Sequence, residues 1–392
     1  MKNRITAIAF SLAAVLCTAM LLLPADKESV YSENRTPAEI LPATEENLKS
    51  GKWAESFEDY LGDNVGFRSE LTKASDAIEN LRGIDSGLGK IVSVNKDIGT
   101  ATVQKSSLLV ADGAVMEMFV KNEAAEKKYV EMINYLAEKL TGVKVYSMII
   151  PTQLEFRESV YANLQDSQKK TIDDIYSRLN SSVTAVNVYD TLAAHTDEYI
   201  YFRTDHHWTA RGAYYGCNAF LEASGGKRTV DIGEPKKNEI RNFYGYLSKQ
   251  APGSDVNADT IEWYETDADS DIEIVNSGIK DGKKTEYKGT LFDRDKKNYS
   301  LFMSGDQPFS VITNHSVQSG KTIMILKDSY ANAFIPWLIG SYSRIILMDP
   351  RNCVDNINYV LKEYAPEECL IMNYIFTTTF EDYSNAAKNL MK

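Results

Sequence analysis

Two of the chain's four histidines stand side by side in Thr204-Asp205-His206-His207-Trp208-Thr209. In an extended segment residues i and i+2 project the same way, so Asp205 and His207 are expected to point together and His206 elsewhere. A carboxylate beside an imidazole fixes its tautomer and stabilises the imidazolium formed on proton abstraction, so His207 reads as a base and Asp205 as its orienter. The bland alternative is a pair of surface residues; a position just before a helix and beside Trp208 counts against it. Arg203 is expected to pair with Asp205 and keep it ionised. His195 and His315 read as structural.

A second set of chemistry-bearing residues follows apolar strand-like runs. In open α/β sheets ligands bind outside the carboxyl ends of the strands, so the residues just after each strand are the candidates. These are Thr204 to Trp208, Lys327 to Tyr330, Asp349 to Arg351, and Asn373-Tyr374. Ser329 lies where the run Thr322 to Leu326 turns into a helix near Ala331, and backbone N–H groups at a helix start can bind an oxyanion. The alternative is that Asp328 or Ser329 merely caps that helix. Arg351 is a candidate for holding an anionic sugar or phosphate group, against the commoner roles of capping a helix or pairing with surface acid. Tyr330 and Trp208 are candidate sugar-stacking or pocket-wall residues, although aromatics beside a βα turn are more often core. No G-x-S-x-G elbow is present, which disfavours the usual α/β-hydrolase arrangement.

The elements that must position these groups alternate. Asn122 to Leu140 carries Val130, Ile133, Leu136 and Leu140 on one helical face and ends at Thr141-Gly142. Val143 to Ile150 is a strand closed by Pro151, Ile172 to Leu179 a helix, Val183 to Tyr189 a strand, and Thr209 to Phe220 the start of a helix. Three more units follow, with strands at Thr322 to Leu326, Arg344 to Met348 and Cys369 to Met372. Strands alternating with helical patterns predict βαβ units and a parallel sheet. The stretch at about 225–319, rich in Gly, Asp, Asn and Thr, reads as an insertion of short antiparallel strands at the sheet's rim, a candidate substrate platform.

The N-terminus predicts export. Lys2 and Arg4 precede an uncharged run, Ile5 to Leu23, long enough to cross a bilayer core of about 20 residues. Residues 1–24 are therefore expected to be a signal or membrane anchor, 25–50 an extracytoplasmic linker, and 51–392 an α/β domain. The balance of 43 Lys+Arg against 55 Asp+Glu, a net charge of −12, with no basic block, argues against a nucleic-acid partner. Four scattered cysteines make neither a disulfide framework nor a zinc ribbon, although a Cys353–Cys369 bridge stays open.

Thr-Asp-His-His-Trp-Thr followed by Lys-Asp-Ser-Tyr resembles the DHHW family, which is similar to the SGNH-hydrolase-like domains of the alginate O-acetyltransferases. The resemblance runs from about Trp53 to the C-terminus and includes Phe57-Glu58-Asp59-Tyr60, Asn64 and Phe67-Arg68. It implies a flavodoxin-like parallel sheet flanked by helices and circularly permuted, because the serine comes after the Asp/His pair. Ser329, His207 and Asp205 are then the implied catalytic triad, and Asn373 an oxyanion donor. Two departures stand out: His206, where the acetyltransferases have a small polar residue, and Lys327-Asp328 before the serine.

The implied activity is acyl transfer outside the cytoplasm: O-acetylation of a cell-envelope or secreted polysaccharide, or acetyl-ester hydrolysis on the same scaffold. It needs no cofactor or metal. A membrane-bound O-acyltransferase is the implied acetyl supplier. Two other classes compete. One is a metal-dependent phosphoesterase using Asp205, His206 and His207, disfavoured by the shortage of further histidines. The other is a non-catalytic glycan-binding module.

Overall fold

Strands with no polar face dominate the centre of the molecule. A parallel strand covered on both sides needs a continuous apolar run, and Thr322–Lys327 and Glu368–Tyr374 are buried at every residue. The computed structural model describes residues 39–63, 89–97, 103–280 and 282–392. The expected anchor and most of the expected linker, with Asn64, Phe67 and Arg68, lie outside the described residues. No described helix is long and apolar enough to cross a membrane.

In chain order, helices α1 (Glu45–Lys49) and α2 (Lys52–Asp63) precede an antiparallel sheet of β1 (Lys90–Asp97), β2 (Val103–Ala111) and β3 (Ala114–Glu117). Helix α3 (Glu123–Lys139) is capped by the Asn122 side chain, which accepts from the Ala125 N–H. Then come β4 (Lys144–Ile150), α4 (Gln168–Ser177), β5 (Val183–Ala185) and α5 (Ala210–Ser224). The next stretch holds β6 (Lys236–Phe243), α6 (Tyr246–Gln250), β7 (Asp259–Glu265), β8 (Ile272–Lys280), β9 (Lys283–Lys288) and β10 (Phe309–Asn314). The chain closes with β11 (Thr322–Lys327), α7 (Ala331–Leu338), β12 (Arg344–Met348), α8 (Ile357–Tyr364), β13 (Glu368–Tyr374) and α9 (Glu381–Asn389).

The main sheet runs β5-β4-β13-β11-β12-β10-β8-β9. From β5 to β12 all neighbours are parallel, as the alternating pattern predicts. Beyond β12 the sheet turns antiparallel, because β10, β8 and β9 join it edge to edge. The sheet is therefore mixed, not purely parallel. The predicted insertion does contain antiparallel strands, but three of them extend the main sheet and only β6 and β7 pair apart from it. Apolar side chains explain this difference: Phe309 and Ile312 of β10 and Ile274 of β8 are buried in the main core, so these strands do not stay at a wet rim. The Cys353–Cys369 bridge is absent; both thiols are free, and burial pushes Cys369 up to about 12.

Candidate active site

The carboxyl ends of β4, β13, β11 and β12 share one edge of the sheet, and the candidate groups collect there. The loop between Ile200 and Thr209 folds back on itself. Phe202 N–H donates to the His207 carbonyl (3.3 Å) and Thr209 N–H to that of Ile200 (3.0 Å). Buried Asp259 anchors the loop by accepting from the N–H groups of Arg203 and Thr204, both at 2.8 Å. Thr209 then starts α5, its hydroxyl accepting from the Gly212 N–H.

At the tip of this loop His207 N–H donates to Asp205 Oδ1 (3.1 Å), the hydrogen bond of an Asx turn. Its ring Nδ1 lies 2.6 Å from the same oxygen. Asp205 and His207 thus meet, but through a tight turn and not through strand alternation. The other carboxylate oxygen accepts from the Tyr246 N–H at the start of α6 (2.9 Å). A glycine must precede Tyr246, since a Cβ on Gly245 would stand 2.4 Å from the Asp205 Cβ. Burial pushes the Asp205 carboxyl upward, yet the charge and hydrogen bond of His207, with His206 and the Tyr246 N–H, outweigh it. The net effect holds Asp205 well below the usual carboxylate range.

On the facing turn, Ser329 sits between β11 and α7, half-buried, with Oγ 2.7 Å from His207 Nε2. Asp328 fixes that turn from beneath. Its Oδ1 accepts from the Tyr330 N–H, and its Oδ2 from the Tyr374 N–H, the Thr377 hydroxyl and the Asn373 amide. Burial raises the Asp328 carboxyl despite Arg351 and those donors, which pull the other way. A hydrogen-bonded line therefore runs Asp205–His207–Ser329, buried at the carboxylate and half-open at the hydroxyl.

Several expected site residues stand elsewhere. Asn373 is fully buried; its amide donates to Asp328 (3.2 Å) and its oxygen accepts from Tyr129 (2.9 Å), so it braces the serine turn. Trp208 and Tyr330 are core and not sugar platforms, each 0% exposed. The Trp208 indole N–H donates to the Tyr330 carbonyl (2.9 Å), and Tyr330 donates to the His206 carbonyl. Lys327, 1% exposed, spends its ammonium on Asp306 (3.0 Å) and Asn332 (2.7 Å). Arg351 grips Asp349 and Asp306, the acid-pairing alternative to an anion site. Arg203 leans on Asp259 (3.7 Å) and the Tyr199 ring, not on Asp205.

His206 does not point away. Its ring centroid is 3.9 Å from that of His207, and its Nδ1 is 3.8 Å from Asp205 Oδ1. Asp205, His206 and His207 could together offer a metal three ligand atoms within 4.8 Å of one another, but both His207 nitrogens already face Asp205 and Ser329. His195 meets Glu198 (3.0 Å) and stacks on Tyr215. Sequence reasoning missed Tyr299, Asp306, Gly245 and Asp259, which come from the insertion and carry no motif.

A parallel-centred α/β domain with an Asp–His–Ser line at the carboxyl edge of its sheet is the class that fold and site define. A family profile described as DHHW protein matches residues 46–348, most of the sequence, and the chain belongs to the DHHW family. No curated protein is similar enough to count as a relative. A solved DHHW family protein from Eubacterium siraeum is 26% identical and covers 76% of this chain and 98% of its own, with a TM-score of 0.63. Bacillus cereus PatB1 shares the fold at 17% identity, 71% and 99% coverage and a TM-score of 0.59; it is also solved with a sulfonyl adduct. The O-acetyltransferase domain of Pseudomonas putida AlgJ aligns more loosely, with a TM-score of 0.41 at 13% identity over 72% and 99%.

Proposed function

We propose that this chain is a serine-dependent acyl-transfer enzyme working outside the cytoplasm, placing acetyl groups on hydroxyls of a cell-envelope or secreted polysaccharide. The observation that carries this reading is the line of contacts at 2.6 Å and 2.7 Å through His207. In this reading Ser329 Oγ attacks the acyl carbon of a donor ester while His207 Nε2 takes its proton. The donor C–O bond breaks, its alcohol leaves with that proton, and the acyl group stays on Ser329. His207 then deprotonates an acceptor hydroxyl, whose oxygen takes the acyl group and frees Ser329, which recovers the proton. Asp205 holds the imidazole and stabilises its charged form. The Ser329 N–H, entering α7, is the oxyanion donor of this scheme.

With water as acceptor the same residues make an acetyl esterase, and exclusion of water from the acyl-serine decides between the two. A transferase in this location takes its acetyl groups from a membrane-bound O-acyltransferase, and the N-terminal apolar run would hold it near that partner. The test offers the purified protein an aryl acetate with and without an oligosaccharide acceptor. Acetylated glycan supports the transferase, and acetate alone supports the esterase. Turnover lost to a chelator but indifferent to Ser329→Ala would replace both with metal-assisted hydrolysis through Asp205, His206 and His207. Glycan binding with no turnover would leave only a binding module.

A further inference from the structure

One short stretch of the insertion reaches the site twice. Tyr299 lies with its ring face to face on His207, centroids 3.6 Å apart and planes 7° from parallel. Its hydroxyl donates to the Ser329 carbonyl (3.1 Å), and the Ala333 N–H of α7 donates to that hydroxyl (3.4 Å). Seven residues later Asp306 accepts from buried Lys327, from Asn332 (2.9 Å) and from Arg351 (2.8 Å), on the two sides of the serine turn. Between these contacts Met303, Ser304 and Gly305 take φ values of 58°, 57° and 85°. Non-glycine residues in that region cost of order 1 kcal/mol or more each and persist only where surroundings over-determine them. Met303 is itself 1% exposed.

We propose that the segment from Tyr299 to Asp306 is a clamp on the acyl-transfer site, with Tyr299 as its positioning residue. The Tyr299 ring keeps the imidazole in the plane where one nitrogen meets Asp205 and the other Ser329. Its hydroxyl holds the backbone of the residue that carries the nucleophile. The insertion is thus part of the reactive apparatus as well as an extension of the main sheet. This inference rests on the serine-nucleophile reading and deepens it.

The test is the rate at which phenylmethylsulfonyl fluoride modifies Ser329, followed by intact mass. The Ser329 oxygen forms the O–S bond, fluoride leaves, and His207 takes the proton. Tyr299→Leu, which loses ring and hydroxyl, is expected to slow labelling by roughly tenfold to a hundredfold, the scale of a misplaced reacting group. Tyr299→Phe, which keeps the stack, is expected to stay within about fivefold of wild type, the worth of one ordinary hydrogen bond. A folded Tyr299→Leu protein labelled as fast as wild type overturns the clamp. Should that variant fail to fold, the wild-type protein decides. A face-to-face tyrosine shifts the His207 ring C–H resonances upfield, and their absence from that region overturns the stack. If wild-type Ser329 is not labelled at all, the nucleophile reading itself fails, while the resonance measurement still reports on Tyr299.

Discussion

At the scale of single residues, the two imidazoles beside Asp205 divide the work unequally. His207 bridges Asp205 and Ser329, while His206 touches the carboxylate only from 3.8 Å. Groups that act as one unit lose most of their effect when any member is removed. Ser329→Ala and His207→Ala are each expected to lower aryl acetate turnover by roughly a thousandfold or more, and His206→Ala much less. Equal collapse of both histidine variants in the same assay would reverse the assignment. Asp205 also makes stability depend on pH. Its carboxyl is held low in the folded state, so its contribution is present above about pH 4 and is lost as pH falls below the unfolded value. Asp328 has the opposite sign, because burial raises its carboxyl and its ionisation opposes folding as pH rises. Urea midpoints measured from pH 6 down to pH 2 are expected to fall more steeply for wild type than for Asp205→Asn.

Among elements, the site is a meeting of three turns: the Asx turn at Asp205, the β11–α7 turn at Ser329, and the start of α6. Gly245 sets the distance between the first and the third. A methyl group there would lie 2.4 Å from the Asp205 Cβ and 2.5 Å from its Oδ2, closer than real contacts allow. Gly245→Ala is therefore expected to push α6 away, to cost about 1–3 kcal/mol in thermal or urea unfolding, and to lower turnover by at least about tenfold. A variant with unchanged midpoint and turnover would mean that this approach is soft. Asp328 does for the serine turn what Asp259 does for the histidine loop. Each is a buried carboxylate that gathers backbone N–H groups the turn would otherwise leave without partners.

For the whole molecule, the antiparallel extension of the sheet brings the Tyr299–Asp306 segment over the parallel centre. Strands β10, β8 and β9 pack on the β12 edge, and the loop before β10 crosses to Lys327 of β11 and to Arg351 in the turn after β12. There Lys327 is buried with Asp306 and Asn332 as its partners. Removing one member of a buried ion pair leaves an uncompensated charge, so Asp306→Ala is expected to cost roughly 3 kcal/mol in urea unfolding, the low end for such a loss. The low end applies because Asp306 keeps 33% side-chain exposure. A change under about 1 kcal/mol, the ordinary worth of an exposed pair, would mean that Lys327 finds water instead.

How far the sequence reached follows from the range of the interactions involved. Apolar runs, cap residues and the position of a polar group after a strand are local, and they sufficed for the parallel strands β4, β11, β12 and β13, for Ser329 at a strand-to-helix turn, and for pairing Asp205 with His207. They even placed the pair in one loop although the backbone there is a turn, because an Asx turn and a strand both bring residues i and i+2 together. The strand expected at Val183 to Tyr189 stops at Ala185, and Val188–Ala193 is helix. Tertiary structure alone decided what each remaining group spends itself on. Arg351 and Lys327 looked open beside the serine until Asp306 arrived from a loop with no periodic pattern. Trp208 could have been a pocket wall until α5 and α7 closed over it, and Tyr330 until it stacked on Tyr374. Tyr299 lies 30 residues before Ser329 in a stretch of weak signal, and its place on His207 depends on three strands adding to an edge. Contacts of that kind are fixed by which surfaces remain to be covered once the sheet has formed, and no local spacing of residue types records that.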